Sequence, residues 1–254
     1  MSELSRRAMT PRIVPLNKET HRGLKVDGRP SAAHGDNQHF AQVIVTEFPH
    51  LVVHYPILFG KHEQTGQFLC GVMLGFIEGE NQFLEEWRRE PEFYRPLMLQ
   101  RGPFHAHGPE LAIDLDDPRV DAEGGIPLFS ADGQPGSYLQ SIIWAFQNLQ
   151  PGLERTRRFV ARLLELNLIE PIDIEAEFED GTLHHCQGLY TVNQEVLAGI
   201  PDAVAVELYR RGYLALIHMM IASLKQVRVM ARQKNARLLR KTEGLAKAQG
   251  GAAG

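Results

Sequence analysis

The chain has 254 residues, 43% of them hydrophobic and 23% charged, and a formal net charge of −4. A chain of this size buries enough apolar surface to fold without disulfides or a structural metal, and its composition excludes a mostly disordered polymer. Slight net acidity and two cysteines exclude a bulk polyanion binder and a disulfide scaffold.

Arg6 and Arg7 lie near the start, but no apolar stretch of secretory-signal length follows them. Residues 1–39 are polar, rich in proline and glycine and without sustained periodicity, so a flexible arm is expected, with a short strand at Arg12–Leu16. A single domain is expected over 40–242. Gln42–Val45 and Leu51–Val53 have strand-like composition. Residues 55–76 read as a β-hairpin turning at KHEQTG (61–66), and both of its strands are apolar on both faces. Asn81–Pro103 mixes aromatics with arginines, and its prolines forbid a long helix. Leu111–Leu115 is a short strand.

Helices follow. Ser137 with Gln140 three residues on forms a capping box, which predicts a helix over Tyr138–Asn148. Pro151-Gly152 then separates it from a second helix, Leu153–Asn167. In Ile172–Glu179 apolar and acidic residues alternate, the signature of a strand with one buried and one wet face. Asp180-Gly181 turns it back on Thr182–Tyr190. Two short helices fill 191–212, and a long helix runs from about Tyr213 to Arg240. The run YLALIHMMIASL (213–224) falls short of the ~20 apolar residues of a membrane span and reads as a core helix. A soluble, cytoplasmic protein is therefore expected. The Ala/Gly-rich residues 243–254 read as a disordered tail. Strands first, then helices with one further hairpin, make the fold class α+β: an antiparallel, β-rich N-terminal half and a long C-terminal helix.

Several segments resemble, in order, those of the SapC-like family of bacterial proteins. They are YPILF (55–59), ENQF (80–83), YRPLMLQRGPF (94–104), PLFSADGQP (127–135), LNLIEP (166–171), DGTLHHCQGLYTVNQEVL (180–197) and LALIHMMIASL (214–224). The resemblance spans about residues 40–225. It implies an accessory or binding role associated with surface-protein or peptide transport, or with modification enzymes such as cupin-like hydroxylases and flavin-dependent halogenases. It supplies no catalytic residues.

Four constellations are candidates for function. Tyr55, Phe59, Trp87, Tyr94, Arg101 and Phe104 combine aromatics with a guanidinium, the residue types that dominate binding hot spots, and could line a groove for a peptide or small aromatic ligand. The charge blocks are the strongest signal. Residues 165–180 hold seven acids and no Lys or Arg, whereas 208–242 hold nine basic residues and no acid. The basic residues Arg228, Arg232, Lys234, Arg237 and Arg240 are candidates for binding a protein partner, against the alternatives of a solvated face or internal pairing with the acidic strand. Nucleic acid is the less expected partner. His105 and His107, with Glu110, have partial metal-ligand spacing and support the competing reading, a metal- or cofactor-dependent enzyme. Cys70 and Cys186 are expected as buried reduced thiols. Residues adjacent on a strand point to opposite faces, so His185 is poorly placed to activate Cys186. The leading expectation is a non-catalytic accessory or binding protein without a cofactor, docked by the first half of its last helix and presenting the basic second half.

Overall fold

A computed structural model describes residues 11–90, 92–108, 110–121 and 123–250, the last eight of these by backbone alone. The chain begins with two short strands, β1 (Ile13–Pro15) and β2 (Lys25–Val26), and reaches β3 (Phe40–Gln42) and the one-turn helix α1 (Phe48–Leu51). The predicted hairpin is β4 (Ile57–Lys61) and β5 (Phe68–Met73). Two short helices, α2 (Leu84–Arg89) and α3 (Leu97–Gln100), lead into β6 (Phe104–His107), β7 (Glu110–Asp114) and β8 (Ile126–Pro127). A 29-residue helix, α4 (Ser137–Glu165), precedes β9 (Ile169–Pro171), β10 (Ile174–Glu177), β11 (Leu183–Cys186) and β12 (Tyr190–Val192). Helices α5 (Gln194–Ala198), α6 (Asp202–Arg210), α7 (Tyr213–Ser223) and α8 (Lys225–Gly250) end the chain.

The central sheet has the order β3-β5-β4-β12-β9 and is antiparallel throughout. Its hairpin runs in register from Ile57 opposite Val72 to Lys61 opposite Phe68. Ile57, Leu58 and Phe59 have no exposed surface, which explains why this strand is apolar on both faces. Phe159 from α4 and Ile217 and Met220 from α7 join them in the main core. A second core gathers Val26, Phe104, Ile113, Leu128 and Leu139. The sheet β1-β7-β6 borders it. The α+β reading therefore stands. The β10–β11 hairpin also forms as expected. Ile174, Ala176 and Phe178 are buried while Glu175, Glu177 and Glu179 stay exposed, and Gly181 takes the positive φ that the turn requires.

Several expectations need correction. Of the arm expected over 1–39, residues 1–10 lie outside the described residues, and residues 11–39 are not loose. Strand β1 pairs with β7, β2 pairs with β8, Val26 is fully buried, and Asp36 lies inside an ion-pair cluster. Leu51–Val53 is not strand but the end of α1 and the turn after it, with Leu51 packed in the main core. Pro151-Gly152 does not divide α4. Gly152 packs so closely on Ile44 that a β-carbon would meet Ile44 Cδ1 at 2.3 Å. Thr156 Oγ donates to the Gly152 carbonyl at 2.7 Å and accepts from Val45 N at 3.0 Å, which fixes both sides of the proline-containing turn. Tertiary packing here overrides the cost of an internal proline. The capping box is also absent: Gly136 is the N-cap and Gln140 donates instead to the Pro135 carbonyl.

The last helix is nearly continuous but steps at Leu224. Ser223 explains the step: its hydroxyl donates to the Met220 carbonyl at 2.6 Å and accepts from Ile57 N at 2.8 Å. Such back-bonding bends helices. Tyr213–Thr242 is long and apolar enough to cross a membrane, with a mean hydropathy of 1.3 in its most apolar window. Its exposed positions, Ala215, His218, Ala222, Lys225 and Arg228, recur every three or four residues, so one stripe is wet and the remainder faces the protein. With 28% of that window buried, the helix packs on the core along one side and stays open on the other. Apolar packing does not stop at the middle, as expected, but continues through Met230 and Ala231 to Leu238. The helix runs through most of the expected tail, as far as Gly250, and residues 251–254 lie outside the described residues.

Candidate functional site

The six aromatic and arginine candidates do not line one groove. Phe59 is sealed in the main core against Phe159, with ring centroids 6.4 Å apart, and Phe104 is sealed in the second core. Tyr55, Trp87 and Tyr94 do come together. Trp87 Nε1 donates to Tyr55 Oη at 2.8 Å, Tyr55 Oη donates to the Tyr94 carbonyl at 2.6 Å, and Tyr94 Oη donates to Glu47 Oε1 at 3.0 Å. Glu47 is 2% exposed and also accepts from Ile44 N and Leu97 N. Burial pushes its carboxyl above the usual carboxylate range, opposed by those hydrogen bonds. Burial likewise pushes the Tyr55 and Tyr94 hydroxyls up. These groups spend their hydrogen-bonding capacity on one another and on the backbone, which makes the cluster a brace between α1, α2 and the segment before α3.

Beside the brace lies a polar recess of about 280 Å³, lined by Trp87, Tyr94, Arg95, Gln100 and Tyr138. Arg95 stacks over Trp87 with its guanidinium carbon 5.7 Å from the ring centroid, and its Nη2 donates to Asp36 Oδ1 at 2.9 Å. Arg119 Nη2 lies 3.6 Å from the same oxygen, and Arg119 Nη1 lies 3.4 Å from Asp117. Charges therefore alternate through Arg95, Asp36, Arg119 and Asp117, and the cluster joins the N-terminal segment to α3 and the β7–β8 loop. Nothing in sequence marks Asp36 or Glu47 as buried. Both are acids whose side-chain partners, Arg95 and Arg119 for Asp36 and Tyr94 for Glu47, lie far along the chain.

The basic helix divides by use. Lys234 Nζ is 2.9 Å from Glu80 Oε1 and sits 4.5 Å from the Phe178 ring centroid, and Arg237 Nη2 is 2.6 Å from Glu86 Oε1. These two cations staple α8 to the loop before α2 and to α2 itself. Arg228, Arg232 and Arg240 are exposed, and none has an ion-pair partner among the described residues. The acidic face of β10 does not neutralise them. Glu175 pairs with His185 across the hairpin at 3.1 Å.

His105 and His107 lie two apart on β6, opposite Ala112 and Glu110. Among the described residues no three His, Cys, Asp or Glu side chains converge as metal ligands, so these histidines and Glu110 do not assemble the start of a metal site. His105 is half-buried, and burial, with the charge of Arg101, pushes its pKa down. Cys70 is buried and Cys186 half-buried, its thiol 3.4 Å from the Phe76 carbonyl; burial pushes both thiols up, away from nucleophilic reactivity.

The last of the six candidates, Arg101, lies apart from Tyr55, Trp87 and Tyr94. It lines a different groove, of about 390 Å³, between α3, α4 and the β6–β7 hairpin. No curated protein and no solved structure matches the chain. A family model described as SapC matches residues 16–230, from just beyond β1 into α8, and so includes the N-terminal segment that the ion-pair cluster secures. The chain belongs to the SapC family.

Proposed function

We propose that this protein is a non-catalytic accessory component, working in the cytoplasm, that engages an acidic protein partner through the outer arginine row of α8. The observation that supports this reading is the division of labour on that helix. Lys234 and Arg237 are consumed by Glu80 and Glu86, while Arg228 and Arg232, one helical turn apart, stay exposed and without a carboxylate among the described residues. A row of unpaired arginines on a rigid, core-anchored helix offers planar forks for carboxylates at small ordering cost. A transport component, a cupin-like hydroxylase or a flavin-dependent halogenase are the partner classes suggested by family association.

The test compares the wild-type chain with Arg228→Glu/Arg232→Glu as bait in native cytoplasm at low and high salt. The expected result is a partner held by wild type at low salt, released at high salt and absent from the variant. Identical capture by both baits would refute the reading. Both positions are exposed, so circular dichroism of the variant should match wild type.

A further inference from the structure

The groove that holds Arg101 is built unlike the polar recess beside Trp87. Helix α4 contributes Ile143, Phe146 and Leu153, which share one face of that helix. Met98 from α3 and Leu111 from β7 line it too. Its volume of about 390 Å³ lies in the range of small-molecule pockets, and its lining of apolar side chains with few polar groups is the usual composition of such pockets.

Arg101 sets its chemistry. The residue is half-buried, and its side chain has no carboxylate partner among the described residues. Burial disfavours its charged form, and the charge of Arg119 adds to the same cost. Its charge is felt by His105, whose protonation it opposes. Glu110 also lines the groove, but it is exposed and makes no ion pair with Arg101. A guanidinium cannot shed its proton to escape burial. A cation kept partly desolvated, facing like charge, at an apolar groove is completed by an anion that carries an apolar body.

We propose that this groove is a binding site for an aliphatic monocarboxylate of medium chain length, its carboxylate on Arg101 and its chain along the Ile143–Phe146–Leu153 face of α4. The site is separate from the arginine row of α8, so neither proposal depends on the other. A bidentate arginine–carboxylate pair supplies direction, and burial of methylenes supplies most of the affinity, at about 0.8 kcal/mol each.

The experiment titrates the full chain with decanoate below its micellar concentration by calorimetry, with decanol and acetate as controls for chain without charge and charge without chain. Saturable one-to-one binding of decanoate is expected, at least tenfold tighter than that of decanol, with none detected for acetate. Arg101→Met should weaken decanoate at least tenfold and leave decanol unchanged. Ala106→Trp, at an exposed position lining the groove, should weaken both. The proposal is overturned if decanoate does not bind, if decanoate and decanol bind alike, or if both variants bind as wild type does. Displacement of decanoate by an apolar peptide with a free C-terminus, at lower concentration than decanoate itself requires, would assign the groove to a polypeptide end and overturn the free acid as ligand.

Discussion

Replacing Asp36 by Asn tests the claim that the N-terminal segment is an integral part of the fold. The Asp36 side chain is 2% exposed, with the guanidiniums of Arg95 and Arg119, themselves 14% and 10% exposed, at 2.9 and 3.6 Å from Oδ1. Its other oxygen accepts from Ser31 N at 2.9 Å. The amide preserves shape but removes the charge facing the two cations, and its NH2 must point either at the Ser31 N–H or at the guanidiniums. Breaking a buried ion pair from one side costs roughly 3–5 kcal/mol, because the surviving charge is left uncompensated. For a chain of this length each kcal/mol moves the melting temperature by about 2–4 °C, so a loss of roughly 6–20 °C is expected. Urea unfolding followed by tryptophan fluorescence, with calorimetry as the check on two-state behaviour, measures it. Replacing both partners, Asp36→Leu with Arg95→Met, should cost less than Asp36→Leu alone, since no orphan charge of that pair then remains. A loss below about 1 kcal/mol for Asp36→Asn would refute the cluster as a structural clamp, because that is the range of an exposed ion pair.

Four other perturbations probe other parts of the molecule. The carboxyl of Glu47 is raised in the fold, so the folded chain holds more protons than the unfolded one between the ordinary pKa and the raised value. Its contribution is fully present below the ordinary value and declines as pH rises through the folded one; urea unfolding across weakly acidic to neutral pH should show that decline in wild type and a flatter profile in Glu47→Gln, and equal slopes would contradict it. Gly152→Ala, which would gain about 1 kcal/mol in an exposed helix, should here lose roughly 1–3 kcal/mol by forcing Ile44 aside, and a melting temperature above wild type would show that the contact is soft. Met230→Ala should cost about 2–5 kcal/mol, and truncation after Val227 more than that, because Met230 is 1% exposed in the main core; a stably folded truncation would return α8 to the role of a dispensable extension.

Sequence disclosed those elements whose own residues carry the pattern. Ile172–Glu179 alternates strictly, and the 55–76 hairpin is continuously apolar around a polar turn, so both were legible locally. Helix α4 was not, because its continuity through Pro151 depends on Ile44, Val45 and Thr156, which meet Gly152 only in the folded chain. The N-terminal segment misled for the same reason: its order comes from β7, β8, Arg95 and Arg119, all far downstream. At the candidate sites, composition picked out Tyr55, Trp87 and Tyr94 as a group but not their inward use. It named Arg101 among them without the helix face it accompanies, since Met98, Ile143 and Leu153 are unremarkable apolar residues until three elements enclose a space.

The order of strands in the central sheet carries a consequence for biosynthesis. Strand β4 pairs on one side with its hairpin neighbour and on the other with β12, more than 120 residues later. While the chain is emerging from the ribosome, the hairpin therefore exposes an unpaired, largely apolar edge until Tyr190 has been made, and α7, one of the two helices packed on this core, arrives later still. Long-range pairing of this kind is slow and leaves nascent chains prone to sticking to one another. Yield on overexpression should accordingly depend on translation speed and chaperone supply more than on the stability of the finished protein.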